Sequence, residues 1–194
     1  MRRPAMHLLG LSFILTACSP GNEPAADTTE THTAFWEISD TAIGPVHGGL
    51  PLTVEAAEEA LPGYSTRLEQ RSIEGEVYDV IVLSETSAEP PIVELSADWQ
   101  SSGIGDVKIY QAGRVAGLRA DIGETFSNSG FSAIDCYPGM EEMSGRVVCT
   151  DESHSNFDYW FDPSPYDGPD GELPPATVLN DARVFMLRWT TGPD

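Results

Sequence analysis

Short runs of apolar residues separated by turn-forming residues dominate the chain from residue 77 onward. Residues 77–83 are rich in β-branched and aromatic side chains, a composition typical of strands. Residues 104–110 alternate between apolar and polar side chains, as in a strand with one buried face. These patterns predict six strands, over residues 77–83, 92–95, 104–110, 146–150, 157–161 and 183–189.

Two short helices are predicted from capping signals and from the spacing of apolar residues. Thr53 can cap a helix that carries Glu55 in its first turn. A Pro-Gly pair at residues 62–63 ends this helix, because proline cannot continue the hydrogen-bond ladder and glycine permits a reversal. A weaker helical pattern spans residues 125–134, and a second Pro-Gly pair follows at residues 138–139.

The order of helix, Pro-Gly pair and three strands occurs twice, which predicts an internal duplication. Few residues are identical between the two halves, so chance recurrence of short strands is the alternative. Strands follow each helix in runs and do not alternate with helices, which favours an antiparallel sheet. The predicted fold class is therefore α+β, an antiparallel sheet with short helices and a duplicated helix-plus-three-strand unit.

The N-terminus has the pattern of an export signal that ends in a lipidated cysteine. Two arginines precede an apolar run over residues 8–17, which is shorter than the roughly 20 residues needed to cross a bilayer. Leu15 lies at the third position before Cys18, the pattern under which this cysteine is lipidated and becomes the new N-terminus. Ordinary cleavage after Ala17 is the alternative, although it prefers a small residue at position 15. We expect lipid on Cys18 to attach the protein to the membrane.

This interpretation divides the chain into three parts. Residues 1–17 are the signal peptide, and residues 18–42 are the lipidated cysteine and a flexible, acidic tether rich in Thr and Pro. Residues 43–194 form a single α+β domain, with apolar residues at 35–38 as a short docking segment before it. In a Gram-negative cell, Ser19 directly after the lipidated cysteine would not retain the protein in the inner membrane. The expected location is the outer membrane, with the lipid-anchored domain facing the periplasm.

The charge balance limits the classes of partner. The chain has a formal net charge of −21, and loss of the two N-terminal arginines leaves eight Lys and Arg against 31 Asp and Glu, a net charge of −23. Such a surface repels nucleic acid and bare anionic lipid, and we expect neither as a partner. It would attract a basic protein or cations, although solubility alone is a sufficient explanation.

Cys136 and Cys149 are the two cysteines that remain once Cys18 is assigned to lipid. An exported protein lies in an oxidising setting, so their separation by 13 residues predicts a structural disulfide that closes a loop. A redox-active pair is the alternative, but such pairs are more often spaced as Cys-x-x-Cys.

Acidic residues recur in a stretch near the C-terminus that is also rich in Pro and Gly. Carboxylates spaced along a loop can surround a hard cation such as calcium. The candidate ligands are Asp158, Asp162, Asp167, Asp170 and Glu172. Their spacing does not match the calcium loop of EF-hands, and the prolines and glycines explain the stretch as a series of turns. The favoured interpretation is therefore a turn region without metal, and no cofactor is predicted.

His47 and His154 are the candidate catalytic residues. Neither occurs in a His-Glu-x-x-His motif, and the sequence contains no Gly-x-Ser-x-Gly motif and no phosphate-binding glycine loop. A triad assembled only in the fold would not be visible in one sequence. We therefore predict a protein without enzymatic activity, with a hydrolase that uses His47 or His154 as an alternative.

Several short motifs together resemble those of one known family. They are Ile-Gly-Pro at 43–45, Leu-Pro-Gly-Tyr at 61–64, Ile-Gly-Asp at 104–106, Ile-Gly at 122–123, the pair Cys136 and Cys149, Gly-Pro-Asp-Gly at 168–171, Leu-Pro at 173–174, Thr-Val-Leu at 177–179 and Leu-Arg-Trp at 187–189. Over residues 43–189 the chain resembles the sigma-E (RpoE)-regulated outer-membrane lipoprotein family, a domain-of-unknown-function family. The resemblance implies an envelope-stress context and no established activity, so it supplies no catalytic residues. The chain departs from the family in its acidity, its long tether and its loop at residues 85–91.

The lipidation pattern, the tether and the compact domain together predict a cell-envelope lipoprotein. We expect a non-enzymatic binding or accessory module that faces the periplasm and serves envelope homeostasis, with an unidentified protein as a possible partner. An acidic module that blocks a basic envelope-acting enzyme such as lysozyme is the main alternative.

Overall fold

The computed structural model describes residues 36–97 and 102–191. The strands are β1 (Ala42–Ile43), β2 (Val46–His47), β3 (Ser65–Ile73), β4 (Glu76–Ser84), β5 (Val93–Ala97), β6 (Ile104–Ile109), β7 (Cys136–Pro138), β8 (Val147–Asp151), β9 (His154–Asp162) and β10 (Arg183–Thr190). The helices are α1 (Val54–Ala60), α2 (Phe126–Ser129) and α3 (Ala176–Leu179), with 3₁₀ turns at Ala133–Asp135 and Glu141–Met143. The predicted signal peptide, Cys18 and most of the tether lie outside the described residues.

Strands β3 to β10 form one antiparallel sheet in the order β3-β4-β5-β6-β10-β9-β8-β7, and β1 and β2 form a separate pair. The predicted α+β class, with a large antiparallel sheet and short helices, is confirmed. The sheet consists of two four-stranded meanders, β3–β6 and β7–β10, and each follows a helix. Their last strands, β6 and β10, pair antiparallel at the centre. This is the arrangement that a duplicated unit gives, with four strands in each unit where the sequence predicts three.

Strand β3 is the member of the first unit that the hydrophobic pattern does not reveal. It pairs over its full length with β4 and forms one edge of the sheet. Its sequence, Ser-Thr-Arg-Leu-Glu-Gln-Arg-Ser-Ile, carries charges on one face, and its apolar Leu68 is 55% exposed on the other. An edge strand needs no continuous apolar face, and charges on it discourage pairing with other chains.

The second unit also differs from the prediction. Residues 125–134 are not one helix, because Gly130, with φ of +73°, ends α2 after four residues. A separate 3₁₀ turn follows, and β7 begins at Cys136, where the sequence predicts only the end of a helix. Helix α1 matches its prediction closely: the side chain of Thr53 accepts a hydrogen bond from the backbone N–H of Ala56.

The main core lies between one face of the sheet and the helices that cover it. Its fully buried sheet residues include Ile81, Leu95, Val107, Phe161 and Trp189. Residues from α1, α2 and α3 and from the N-terminal segment complete the same cluster. None of the helices in the described ranges is long and apolar enough to span a bilayer.

The N-terminal segment at residues 36–42 belongs to this core, so the folded part begins before residue 43. Trp36 is only 3% exposed and forms a β-bridge with Val115. The aromatic side chain packs on Gly44, where an added Cβ would lie 2.6 Å from the ring and φ is +56°. Only glycine fits this backbone conformation and this close contact.

Candidate functional site

The sheet face opposite the helices, here called the open face, carries the side chains of the candidate site. Successive residues of a strand point to opposite faces. On β6, Val107 and Ile109 are fully buried in the core, while Asp106 and Lys108 point to the open face. A groove of about 830 Å³ crosses this face. Small-molecule sites have volumes of about 300–1,000 Å³, so the groove has the size of a ligand site.

Ion pairs cover part of the open face, and three of their residues, Asp106, Lys108 and Arg188, line the groove. Arg71 Nη2 contacts Glu94 Oε2 at 2.8 Å, and Lys108 Nζ lies 3.4 Å from Glu94 Oε1. Arg188 donates from Nε and Nη2 to the two carboxylate oxygens of Asp106, at 3.0 and 2.8 Å. Glu94 is only 5% exposed, and a buried carboxylate needs such charged donors to offset its desolvation.

The open face concentrates cations in a strongly acidic chain. Four of the eight Lys and Arg residues that follow Cys18 lie on it: Arg67, Arg71, Lys108 and Arg188. They are accompanied by the carboxylates of Glu69, Glu94, Asp106 and Asp158. The formal charge of these eight side chains is balanced, in contrast to the net charge of −21 of the whole chain.

A second, smaller apolar cluster forms the other side of the groove. Trp160 and Met186 are buried there, and Tyr110, Met143 and Phe185 pack against them. The indole Nε1 of Trp160 is buried and has no hydrogen-bond acceptor among the described residues. Buried indole N–H groups usually find an acceptor, so this unpaired donor is unusual for a buried tryptophan.

Tyr110 has a hydroxyl that stays protonated. Its burial, together with the negative charges of Glu94 and Asp106, raises the pKa of Tyr110. At neutral pH its hydroxyl can donate a hydrogen bond and does not act as a base.

Asp158, on the open face, makes the free energy of unfolding of the protein depend on pH. Burial raises the pKa of Asp158, although a hydrogen bond from Thr150 at 2.7 Å and the charge of Arg188 act in the opposite direction. The folded state therefore holds this proton more tightly than the unfolded state. Its contribution to the free energy of unfolding is present below the ordinary carboxyl pKa and is lost as the pH rises through the raised pKa.

Replacing Asp158 with asparagine should remove this dependence. We expect Asp158→Asn to have a higher free energy of unfolding than the wild type at neutral pH, because the buried charge is gone. The difference should shrink in acid, where the wild-type carboxyl is also neutral. Urea denaturation at a series of pH values measures it, and a difference that does not change with pH would contradict the assignment.

Asp162→Asn is the matched control, and its effect on stability should depend on pH in the opposite direction. Burial alone would raise the pKa of Asp162, but hydrogen bonds from Ser164 and the charge of Arg146 outweigh it and lower the pKa. The contribution of Asp162 is therefore present at neutral pH and lost as the pH falls through the lowered pKa. Asp162→Asn should destabilise the protein more at neutral pH than in acid.

The acidic residues predicted as weak metal ligands do not converge. Asp158 points to the open face, Asp162 pairs with Arg146, and Asp170 accepts a hydrogen bond from Ser144. Asp167 and Glu172 are exposed. Within residues 36–97 and 102–191, no group of three or more His, Cys, Asp or Glu side chains is placed to hold a metal ion.

The two histidines lie at the ends of β2 and β9, where they make local contacts, and they do not line the groove. His47 accepts a hydrogen bond from the backbone N–H of Gly49 at 3.2 Å, and His154 lies 3.3 Å from the hydroxyl of Ser153. Ser153 donates to Asp151 at 2.7 Å. In a catalytic triad the histidine lies between the serine and the carboxylate, whereas here the serine bonds the carboxylate directly, as in a turn.

The predicted disulfide between Cys136 and Cys149 is present, with an S–S distance of 2.02 Å. The two residues are Cα partners on β7 and β8, 4.1 Å apart. The bond therefore joins the short edge strand β7 to the rest of the sheet.

The groove is not predicted from the sequence. The signal is present as polar residues at alternate positions, such as 94 and 96 or 106 and 108. It becomes a site only when the strand order brings β5, β6, β10 and β9 side by side.

The fold of the chain is similar to that of a protein of known structure. The crystal structure of the uncharacterized protein yfeY from Escherichia coli is similar to it, with a TM-score of 0.65 and 21% sequence identity, over 79% of this chain and 99% of that chain. At this identity the similarity shows the fold alone. No protein-family model matches the chain, and no curated protein matches it either.

Proposed function

We propose that this protein is a lipid-anchored protein of the cell envelope that binds a small ligand in the groove and catalyses no reaction. It is attached to the outer membrane through Cys18, and its domain faces the periplasm. The proposal includes membership of the sigma-E-regulated lipoprotein family and a role in envelope homeostasis. The fold shared with yfeY is compatible with that membership.

The groove is the observation that carries the binding function. It combines a volume of about 830 Å³ with charged residues on one side and an apolar cluster on the other. Ligand sites have this composition, apolar walls with a few polar groups that fix orientation. Trp160 is among the residues that line the groove, and Lys108, Asp106 and Arg188 supply its charged groups.

Lipid attachment predicts a large change in location on substitution of one residue. Cys18→Ala should move the protein from the membrane fraction to the soluble fraction, because stable anchoring needs the acyl chains that the thiol and the new N-terminus carry. Fractionation followed by immunoblotting measures this. Ser19→Ala is the matched control and should stay in the membrane fraction, and a Cys18→Ala protein that also stays there would contradict the anchor.

Ligand binding is tested on the full-length protein by native mass spectrometry after mild purification. Ala97 is exposed and lines the groove, so Ala97→Trp should fill it without disturbing the core. We expect a bound small molecule on the wild type and on Ile134→Trp, whose position is 92% exposed and does not line the groove. The same molecule should be missing from Ala97→Trp. An equal occupancy in all three proteins, or in none, would overturn the binding function.

A further inference from the structure

Strand β3 is a long edge of the sheet that lacks the usual protection against pairing with another chain. It pairs with β4 without interruption over nine residues, and no strand among residues 36–97 and 102–191 pairs with its other side. Native proteins protect such edges by making them short or by placing a proline or a bulge in them. The opposite edge, β7, has three residues and ends in Pro138, whereas β3 has none of these features.

The backbone groups of alternate residues on β3 point away from the sheet. A two-residue turn, Glu74 and Gly75, joins β3 to β4, and both residues have positive φ, as in a type I′ turn. The pair of residues that flanks such a turn is hydrogen-bonded, and hydrogen-bonded pairs alternate along an antiparallel ladder. The odd-numbered residues of β3 therefore bond β4, and the N–H and C=O groups of its even-numbered residues are directed outward. Arg71 Nη1 accordingly reaches the outward carbonyl of Gln70, at 3.3 Å.

The side chains of β3 alternate in charge on one face and include an exposed leucine on the other. Arg67, Glu69 and Arg71 lie on the open face, where Glu69 contacts both arginines. Leu68 lies on the opposite face, beside its Cα partner Ile81, and is 55% exposed. Because these charges already pair along the strand, they do not by themselves require a partner. They determine instead which strand, in which register, can pair with this edge.

A second β3 strand, running antiparallel, matches these charges when Leu68 lies opposite Leu68 of the second copy. Arg67 then lies opposite the second copy's Glu69, and Glu69 opposite its Arg67, so that opposite charges meet twice. Charges on an edge discourage pairing with chains whose charges do not match them. A shift by two residues sets Glu69 opposite Glu69 and Arg67 opposite Arg71, which like charges disfavour. A shift by four matches the charges again but sets Leu68 opposite the polar Ser72.

We propose that two copies of this protein associate through their β3 edges, antiparallel, with Leu68 on the two-fold axis. The outward N–H and C=O groups of Leu68 bond those of its copy, and the groups of Thr66 bond those of Gln70 on each side of the axis. The two sheets become continuous, and both open faces lie on the same side. A single pair of strands is a small interface, so the dimer forms in a concentration-dependent equilibrium. This association does not depend on the ligand proposed for the groove.

Cysteine trapping tests the register on the full-length Cys18→Ala protein, whose two other cysteines are bonded to each other. In a hydrogen-bonded antiparallel pair the Cα atoms are about 5.5 Å apart, which suits a disulfide. Leu68→Cys should therefore give a covalent dimer on mild oxidation, seen on a non-reducing gel. Gln70→Cys is the matched control, exposed on the same face of β3. It should stay monomeric, because Gln70 lies opposite Thr66 and the two introduced thiols would be about 14 Å apart along the strands.

Sedimentation equilibrium of the Cys18→Ala protein over a range of concentrations measures the association itself. Adding Glu69→Arg should weaken the dimer about tenfold, because cations then lie opposite each other across the axis. Exchanging the two charges, with Arg67→Glu and Glu69→Arg together, should restore it. Both variants place an arginine at position 69 beside Arg71, so the restoration isolates the contact across the axis.

Gln70→Pro tests the outward backbone groups. Proline is tolerated on an edge strand whose N–H faces solvent, so the variant should keep the circular dichroism spectrum of the wild type and lose the dimer. Gln70→Ala keeps the N–H and should still dimerise. A protein that stays monomeric at every concentration, a Gln70→Cys variant that crosslinks as readily as Leu68→Cys, or a dimer that survives Gln70→Pro would overturn the β3 pairing.

Discussion

Replacing Trp189 with alanine is expected to lower the free energy of unfolding by about 3–5 kcal/mol, the cost of deleting a large aromatic side chain from a core. Trp189 is fully buried on β10, between β6 and β9 at the centre of the sheet. Its indole N–H also donates to the backbone carbonyl of Ser39 at 3.1 Å, which ties the N-terminal segment to the central strand. The substitution therefore removes packing and one long-range hydrogen bond together.

Urea denaturation followed by circular dichroism measures this loss. Trp189→Phe is the matched control, since it keeps a ring in the core and deletes the bond to Ser39. It should lose clearly less stability than the alanine variant, and the N-terminal segment should become more sensitive to protease in both. Equal stability of Trp189→Ala and wild type would show that the core is not centred on this strand.

Core and groove are two faces of the same central strands. Trp189 points into the core, and its neighbour Arg188 points to the open face and binds Asp106. Strand alternation fixes this division, and a slip of one residue in the pairing of β10 would exchange the two faces. A stable core therefore holds Lys108 and Arg188 side by side on the open face.

The large elements of this fold can be predicted from the sequence, because apolar runs of strand composition mark β4, β6, β9 and β10. Strand β3 cannot be predicted in this way, since its charged residues lie at an edge where no apolar face is required. The prediction of one helix over residues 125–134 is wrong for a different reason. Their apolar positions have helical spacing, but Gly130 adopts a left-handed conformation and ends the helix.

The groove is harder to predict than the fold, because residue type is a poor guide to it. His47, His154 and the acidic stretch have the side chains of reactive sites, yet the histidines lie at strand ends with local contacts and the acidic residues do not converge. Lys108 and Arg188 are 80 residues apart in the sequence and become neighbours only through the pairing of β6 with β10. That pairing joins the two units of the sheet, so the groove cannot be predicted without the strand order.

Loss of the disulfide between Cys136 and Cys149 is expected to lower the free energy of unfolding by about 3 kcal/mol, the value for a loop of similar length in the chain-entropy account. The bond spans 13 residues in sequence. Cys149 is fully buried, so alanine is the better replacement, because serine would bury a hydroxyl in the core. The double variant Cys136→Ala/Cys149→Ala and the wild type in dithiothreitol should therefore unfold at similar, lowered urea concentrations.

The double variant also supplies the internal control, because dithiothreitol should not destabilise it further. Besides this loss of global stability, we expect a local effect on β7. Strand β7 pairs with β8 over only three residues, so without the disulfide its amide protons should exchange faster, while those of the central strands β6 and β10 change less. If reduction leaves the wild-type stability unchanged, the disulfide does not stabilise the protein by restricting the conformations of the unfolded chain. Uniform acceleration in all strands would show that β7 does not open by itself.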